Sequence, residues 1–272
     1  MDTSSIPLHV VLMTLLLIAT PLMMAFAIGC GMLRRRFAAD ALPAIPQFPG
    51  SSFPGVFDWL YTSFFVLITV MGTAAALFTP HGEPMTAGVL LLNLGLQVAV
   101  YLPFVIRFVL LPPPHRPSPG VGKTLLYLLL ALMSIFIPSF FFETMGFYRW
   151  LMELTDCPEL QDIVVMFRDG DWALRAVIAL AAVVVAPICE EIVYRGFVYN
   201  MLKRYCTRLV AILLSALLFS VIHGAFAQVV PLALFGCVQC ILYDKARSLW
   251  LPMTLHAIYN AISLCAILLL PC

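Results

Sequence analysis

Long apolar runs recur along this chain, and they limit its possible folds more than any other feature. In hydrocarbon every backbone N–H and C=O needs a partner inside the protein, so a spanning segment is helical and needs roughly 20 apolar residues. The candidate runs are Ile6 to Leu33, Phe57 to Phe78, Met85 to Leu111, Thr124 to Phe142, Ala173 to Tyr205, Leu209 to Ala225, Ala227 to Tyr243 and Leu249 to Leu270. Charged residues make up 11% of the chain, against about 25% in soluble domains. The pattern predicts an all-α polytopic membrane bundle of about eight transmembrane helices, with the lipid bilayer as its surroundings.

Three regions follow from this pattern. Residues 1–150 hold four spans without a motif, 151–172 form a polar segment, and 173–270 carry every polar interruption of interest. The run from Ile6 is too long for a signal-peptide core and is read as a retained span. Basic residues are retained on the cytoplasmic side. With the N-terminus outside, the inner loops receive Arg34, Arg35, Arg36, Arg116, Lys123, Lys203, Arg204, Arg208, Lys245 and Arg247, and the outer segments hold Arg149, Arg168 and Arg175. This places a multi-pass protein in the cell membrane with both termini outside. Residues Asp40 to Pro54 and Pro112 to Gly122 read as connecting loops. A net charge of +1 offers no basic field, so nucleic acid is not an expected partner. Cys237-x-x-Cys240 sits in an apolar helix without a second pair and reads as packing. Arg107 reads as a cation reaching for the inner interface. His9, His81 and His115 lie near loops or span ends and receive no role.

Charge enters the fifth span after the apolar run Ala176 to Cys189, as Glu190-Glu191-Ile192-Val193-Tyr194-Arg195. On one helix Glu191 and Arg195 stand four residues apart and can pair, while Glu190 is turned away by about 100°. The arginine then holds one carboxylate, and the other is available as a general base. Two further motifs interrupt later spans: Phe219-Ser220-Val221-Ile222-His223 and His256-Ala257-Ile258-Tyr259-Asn260. Within each, the first and last residues share a helix face. At 1.5 Å rise per residue, Glu190 lies about 22 Å from Tyr205, His223 about 22 Å from Arg208 and Asn260 about 18 Å from Ser248, with His256 shallower at about 12 Å. Taken singly, each pattern has a plain reading as a solvated face or a satisfied core side chain. Their conjunction at similar depth on separate helices does not.

The three motifs resemble those of the CAAX-protease and bacteriocin-processing family of intramembrane proteases, which includes the type II CAAX prenyl endopeptidase. The resemblance spans about Ala173 to Leu270 and extends to Ala186-Pro187 and Arg195-Gly196. It implies that Glu190 and His223 activate a water for attack on a peptide carbonyl. It further implies that His256 and Asn260 donate hydrogen bonds to the oxyanion, with Glu191, Arg195 and Phe219 as supports. The implied substrate is a membrane protein or a lipidated peptide, including prenylated or precursor peptides, and no cofactor is required. Two alternatives remain open: a zinc-dependent protease using Glu190, His223 and His256, and a non-proteolytic carrier or scaffold.

Overall fold

The computed structural model describes residues 6–37, 56–77, 87–110, 119–155, 162–246 and 248–269. His81, His115, Arg116, Arg247 and the loop from Asp40 to Pro54 lie outside these. The described residues are helical apart from short connections: α1 (Leu8–Phe37), α2 (Val56–Leu77), α3 (Ala87–Leu110), α4 (Val121–Thr144), the short α5 (Phe147–Thr155) and α6 (Asp162–Asp169), then α7 (Trp172–Tyr205), α8 (Arg208–Val221), α9 (Val229–Ala246) and α10 (Trp250–Leu269). Among the described residues seven helices are long and apolar enough to cross a membrane, which makes this a multi-pass integral membrane protein. The expected sixth span is the exception. Helix α8 has 14 residues, or about 21 Å, short of a hydrocarbon core of about 30 Å.

Helix α7 is the centre of the bundle. From Cys189 to Leu202 nearly every residue is buried, as expected of a helix that is apolar all round. Its neighbours are α1, α2, α3, α6, α8, α9 and α10. Large apolar side chains on the peripheral helices face outward instead, among them Phe26, Leu92 and Phe140. Asp171 caps the start of α7 by accepting from the Leu174 N–H at 2.8 Å, and Thr207 caps α8 in the same way.

Two stretches of α7 widen to π-helix, Ala181–Val185 and Ile192–Tyr199. Pro187 explains the first. In that register the Ala186 N–H bonds the Ala181 carbonyl, so the next donor, for the Ala182 carbonyl, would be residue 187, and proline has no N–H. In the second stretch the Asn200 amide covers the carbonyls of Arg195 and Gly196 at 2.8 and 3.0 Å, and it also donates to the Tyr243 hydroxyl.

Asp244, near the end of α9, accepts from Tyr199 and Lys203 on α7 and from Arg208 on α8, all at 2.7–2.8 Å. These contacts gather three helix ends on one side of the bundle. Arg107, read from sequence as a cation reaching for the interface, donates to Asp58 at the start of α2 across 3.1 Å. On the opposite side the His9 ring donates to the Thr155 carbonyl, tying α1 to α5.

Candidate active site

Glu191 is the best-connected side chain in the bundle interior. Its Oε1 accepts from Arg195 Nη1 at 2.9 Å, from His256 Nδ1 at 2.9 Å and from Gln239 Nε2 at 3.3 Å. The pairing with Arg195 is the one the four-residue spacing predicts, and it forms with both partners at most 1% exposed. The guanidinium also donates to the Gly236 carbonyl and lies 4.8 Å from the centre of the Phe219 ring. Isolated charges in such a place would cost several kcal/mol each, so the geometry depends on all partners being present.

Glu190 points elsewhere, as one residue of helix rotation requires. Its Oε2 is buried without a protein partner, and the nearest imidazole nitrogen paired with it is His256 Nε2 at 3.9 Å. A His256 ring that donates Nδ1–H to Glu191 turns Nε2 toward Glu190, so one histidine is held between the two carboxylates. Of the seven buried side-chain polar atoms lacking a protein partner among the described residues, five belong to Glu190, Glu191, Tyr194, Arg195 and Gln239. Native cores rarely leave such groups unpaired, and their concentration here sets this site apart from the rest of the interior.

His223 stands where α8 stops. Its backbone N–H turns to the Ser220 carbonyl, leaving the Phe219 carbonyl without an intrahelical donor, and the His223 ring supplies one from Nδ1 at 2.6 Å. That bond fixes the tautomer with Nε2 open as an acceptor. Gly224 then takes φ of 72°, a left-handed turn suited to glycine, and Thr73 of α2 donates to the Ile222 carbonyl at 2.9 Å. The end of α8 therefore has its backbone satisfied by side chains. Among the described residues no ion pair joins His223 to Glu190; the imidazole paired with that carboxylate is His256. Phe219 links the two histidines, with ring centres 4.7 Å from His223 and 6.0 Å from His256.

Asn260 shares the His256 face, yet its amide donates to the Ala182 carbonyl at 2.7 Å, the group orphaned by Pro187. Gln239 was not singled out from sequence. Fully buried, it bridges Glu191 and the Pro252 carbonyl, and its only sequence signal is a lone amide between Cys237 and Cys240. Zinc would need several converging donors. Among the described residues no group of three or more His, Cys, Asp or Glu side chains forms such a set, so Glu190, His223 and His256 do not constitute one as placed.

Residues 172–262 match the family model described as type II CAAX prenyl endopeptidase Rce1-like. All the motif residues lie within this matched segment, whereas Thr73 lies outside it. The chain is also similar to a Bacillus subtilis (strain 168) protein named "Putative membrane peptidase YdiL", with 26% identity over 77 residues, 28% of this chain and 32% of that protein. The chain thus matches about a third of the length of this curated relative. No solved structure matches it.

Proposed function

We propose that the protein is an intramembrane endopeptidase that hydrolyses a peptide bond of a membrane protein or lipidated peptide. The observation that carries this reading is Glu190 Oε2, buried and unpartnered, 3.9 Å from His256 Nε2, beside a second carboxylate already engaged by Arg195, His256 and Gln239. A water bonded to both groups at about 2.8 Å fits beside such a gap. Glu190 takes a proton from the water as its oxygen bonds to the scissile carbonyl carbon, and the carbonyl electron pair moves onto oxygen. His223, with Nε2 open, is the second acceptor proposed for that water. Asn260 has an amide hydrogen beyond the one given to Ala182 and is the oxyanion donor, joined by His256 whenever Nε2 carries a proton. When the intermediate collapses the C–N bond breaks, and the proton held by Glu190 passes to the leaving nitrogen.

The likeness to a prenyl endopeptidase model makes prenylated C-terminal peptides the first substrate class to try. Mass spectrometry of membrane peptides from cells carrying the parent or Glu190→Ala tests the reading. Cleavage fragments should be present with the parent and absent with the variant; identical peptide sets would overturn hydrolysis in favour of a carrier or scaffold. Glu190→Gln in purified protein should lower turnover roughly 10²–10⁴-fold, the worth of a general base. Elemental analysis beside the same assay separates the mechanisms. One equivalent of zinc, removed and restored in step with activity, would replace the glutamate mechanism with the metal-dependent one.

A further inference from the structure

A cavity of about 420 Å³ lies between α3, α6 and the first half of α7, and its two walls differ in chemistry. The α7 wall is formed by small apolar side chains, Ala182, Val185 and Cys189 among them. The α3 wall also carries apolar Leu94 and Val98, and adds Asn93, Gln97 and Tyr101, each four residues from the next and so on one helix face. Asn93 and Gln97 are exposed, whereas Tyr101 is buried at 4% and pairs with Gln97. Cys189, beside Tyr101's end of the cavity, directly precedes Glu190 in the chain. The ladder therefore runs along α3 toward the carboxylates.

Gln97 already pairs with Tyr101, but its amide and that of Asn93 together keep donors and acceptors to spare on the cavity face. An alkyl chain offers them nothing. An extended peptide offers what an amide side chain matches, a donor and an acceptor in alternation, and it has the same need for partners in hydrocarbon. The spacing agrees as well: four residues of helix rise about 6 Å, and same-side groups of an extended chain repeat every 6.4–6.8 Å or so.

We propose that this cavity seats an extended stretch of substrate peptide leading to Glu190, with Asn93 and Gln97 pairing successive same-side backbone groups and Tyr101 standing next to the bond to be cut. The proposal deepens the peptidase reading and rests on it for the cutting, though not for the binding.

The test measures binding rather than cleavage, using the full chain with Glu190→Gln in nanodiscs and a fluorescein-labelled farnesylated octapeptide beside its unprenylated form. Asn93→Leu and Gln97→Leu keep the helix and change exposed positions, and circular dichroism should show unaltered folding. Each should weaken binding roughly two- to tenfold, the range of one net hydrogen bond. Replacing the matching backbone amide of the probe by an ester should weaken binding to the parent by a similar factor and add nothing in the leucine variant. Unchanged or tighter binding by the leucine variants, or dependence on the farnesyl group alone, would assign the cavity to a lipid chain and overturn the proposal. So would the lack of saturable binding of either probe. Binding that follows the ladder without any cleavage by the unmutated protein would instead sink the peptidase reading and leave the seat standing.

Discussion

Glu191 and Arg195 show how much a buried pair depends on its surroundings. The guanidinium serves Glu191, the Gly236 carbonyl and the face of Phe219 at once, so its removal leaves a fully buried carboxylate with only His256 and Gln239. Breaking a buried pair in this way costs about 3–5 kcal/mol. Arg195→Ala should therefore lower the unfolding temperature in detergent together with proteolysis, and a variant as heat-stable as the parent would contradict this role. The pairing was legible in the sequence because i to i+4 geometry is local and carries across the π-helical turn. Gln239 was not, because a lone amide in an apolar helix gives no sign of which carboxylate will face it. His256 shows the same limit. Its face was predictable, but its position between Glu190 and Glu191 depends on how α10 packs against α7.

Among the helices, the decisive local event is the lost hydrogen bond at Pro187. The π-helical register directs the Ala182 carbonyl to a residue with no N–H, and Asn260 from α10 takes its place. Sequence spacing showed that Asn260 shares a face with His256, but the orphaned carbonyl becomes visible only once the wider register is known. The same holds for His223, whose spacing from Phe219 was plain, while the reason for their contact is that α8 ends between them. An unsatisfied buried carbonyl costs about 1–3 kcal/mol, so Asn260→Ala should lose stability by that amount as well as activity. Pro187→Ala restores the missing donor. Combined with Asn260→Ala, it should recover most of the lost stability and little of the activity, because the proposed oxyanion donor is still missing. Thermal unfolding of the single and double variants measures this coupling, and additive losses would show that Asn260 does not serve the carbonyl.

For the whole molecule, the contacts sort the helix ends into two sides without reference to the distribution of charge. On one side Gly31 of α1 passes against the Tyr205 carbonyl in space a Cβ would fill, Trp59 of α2 packs on the Tyr205 ring, Arg107 of α3 reaches Asp58, and Asp244 joins the ends of α7, α8 and α9. On the other side His9 meets Thr155, and Arg175 meets the Phe167 carbonyl. Helix α8 is short, but this does not change the count of sides. It leaves Asp244's side and α9 returns to it, so the pair enters and exits together whether or not its turn reaches the far surface. Helix α10 then starts on Asp244's side, runs along α7 and reaches α6 on the side of Arg175. Leu8 and Leu269 therefore lie on one side of the bundle, and we propose that the other side, where Arg34, Arg35, Arg36, Lys203, Arg204 and Arg208 cluster, faces the cytoplasm. Single cysteines in a cysteine-depleted background test this assignment. Positions 150 and 172 should react with an impermeant maleimide on intact cells, and positions 36 and 248 only after lysis. The reverse pattern would invert the protein in the membrane, and labelling of 36 and 150 from the same side would break the two-sided arrangement itself.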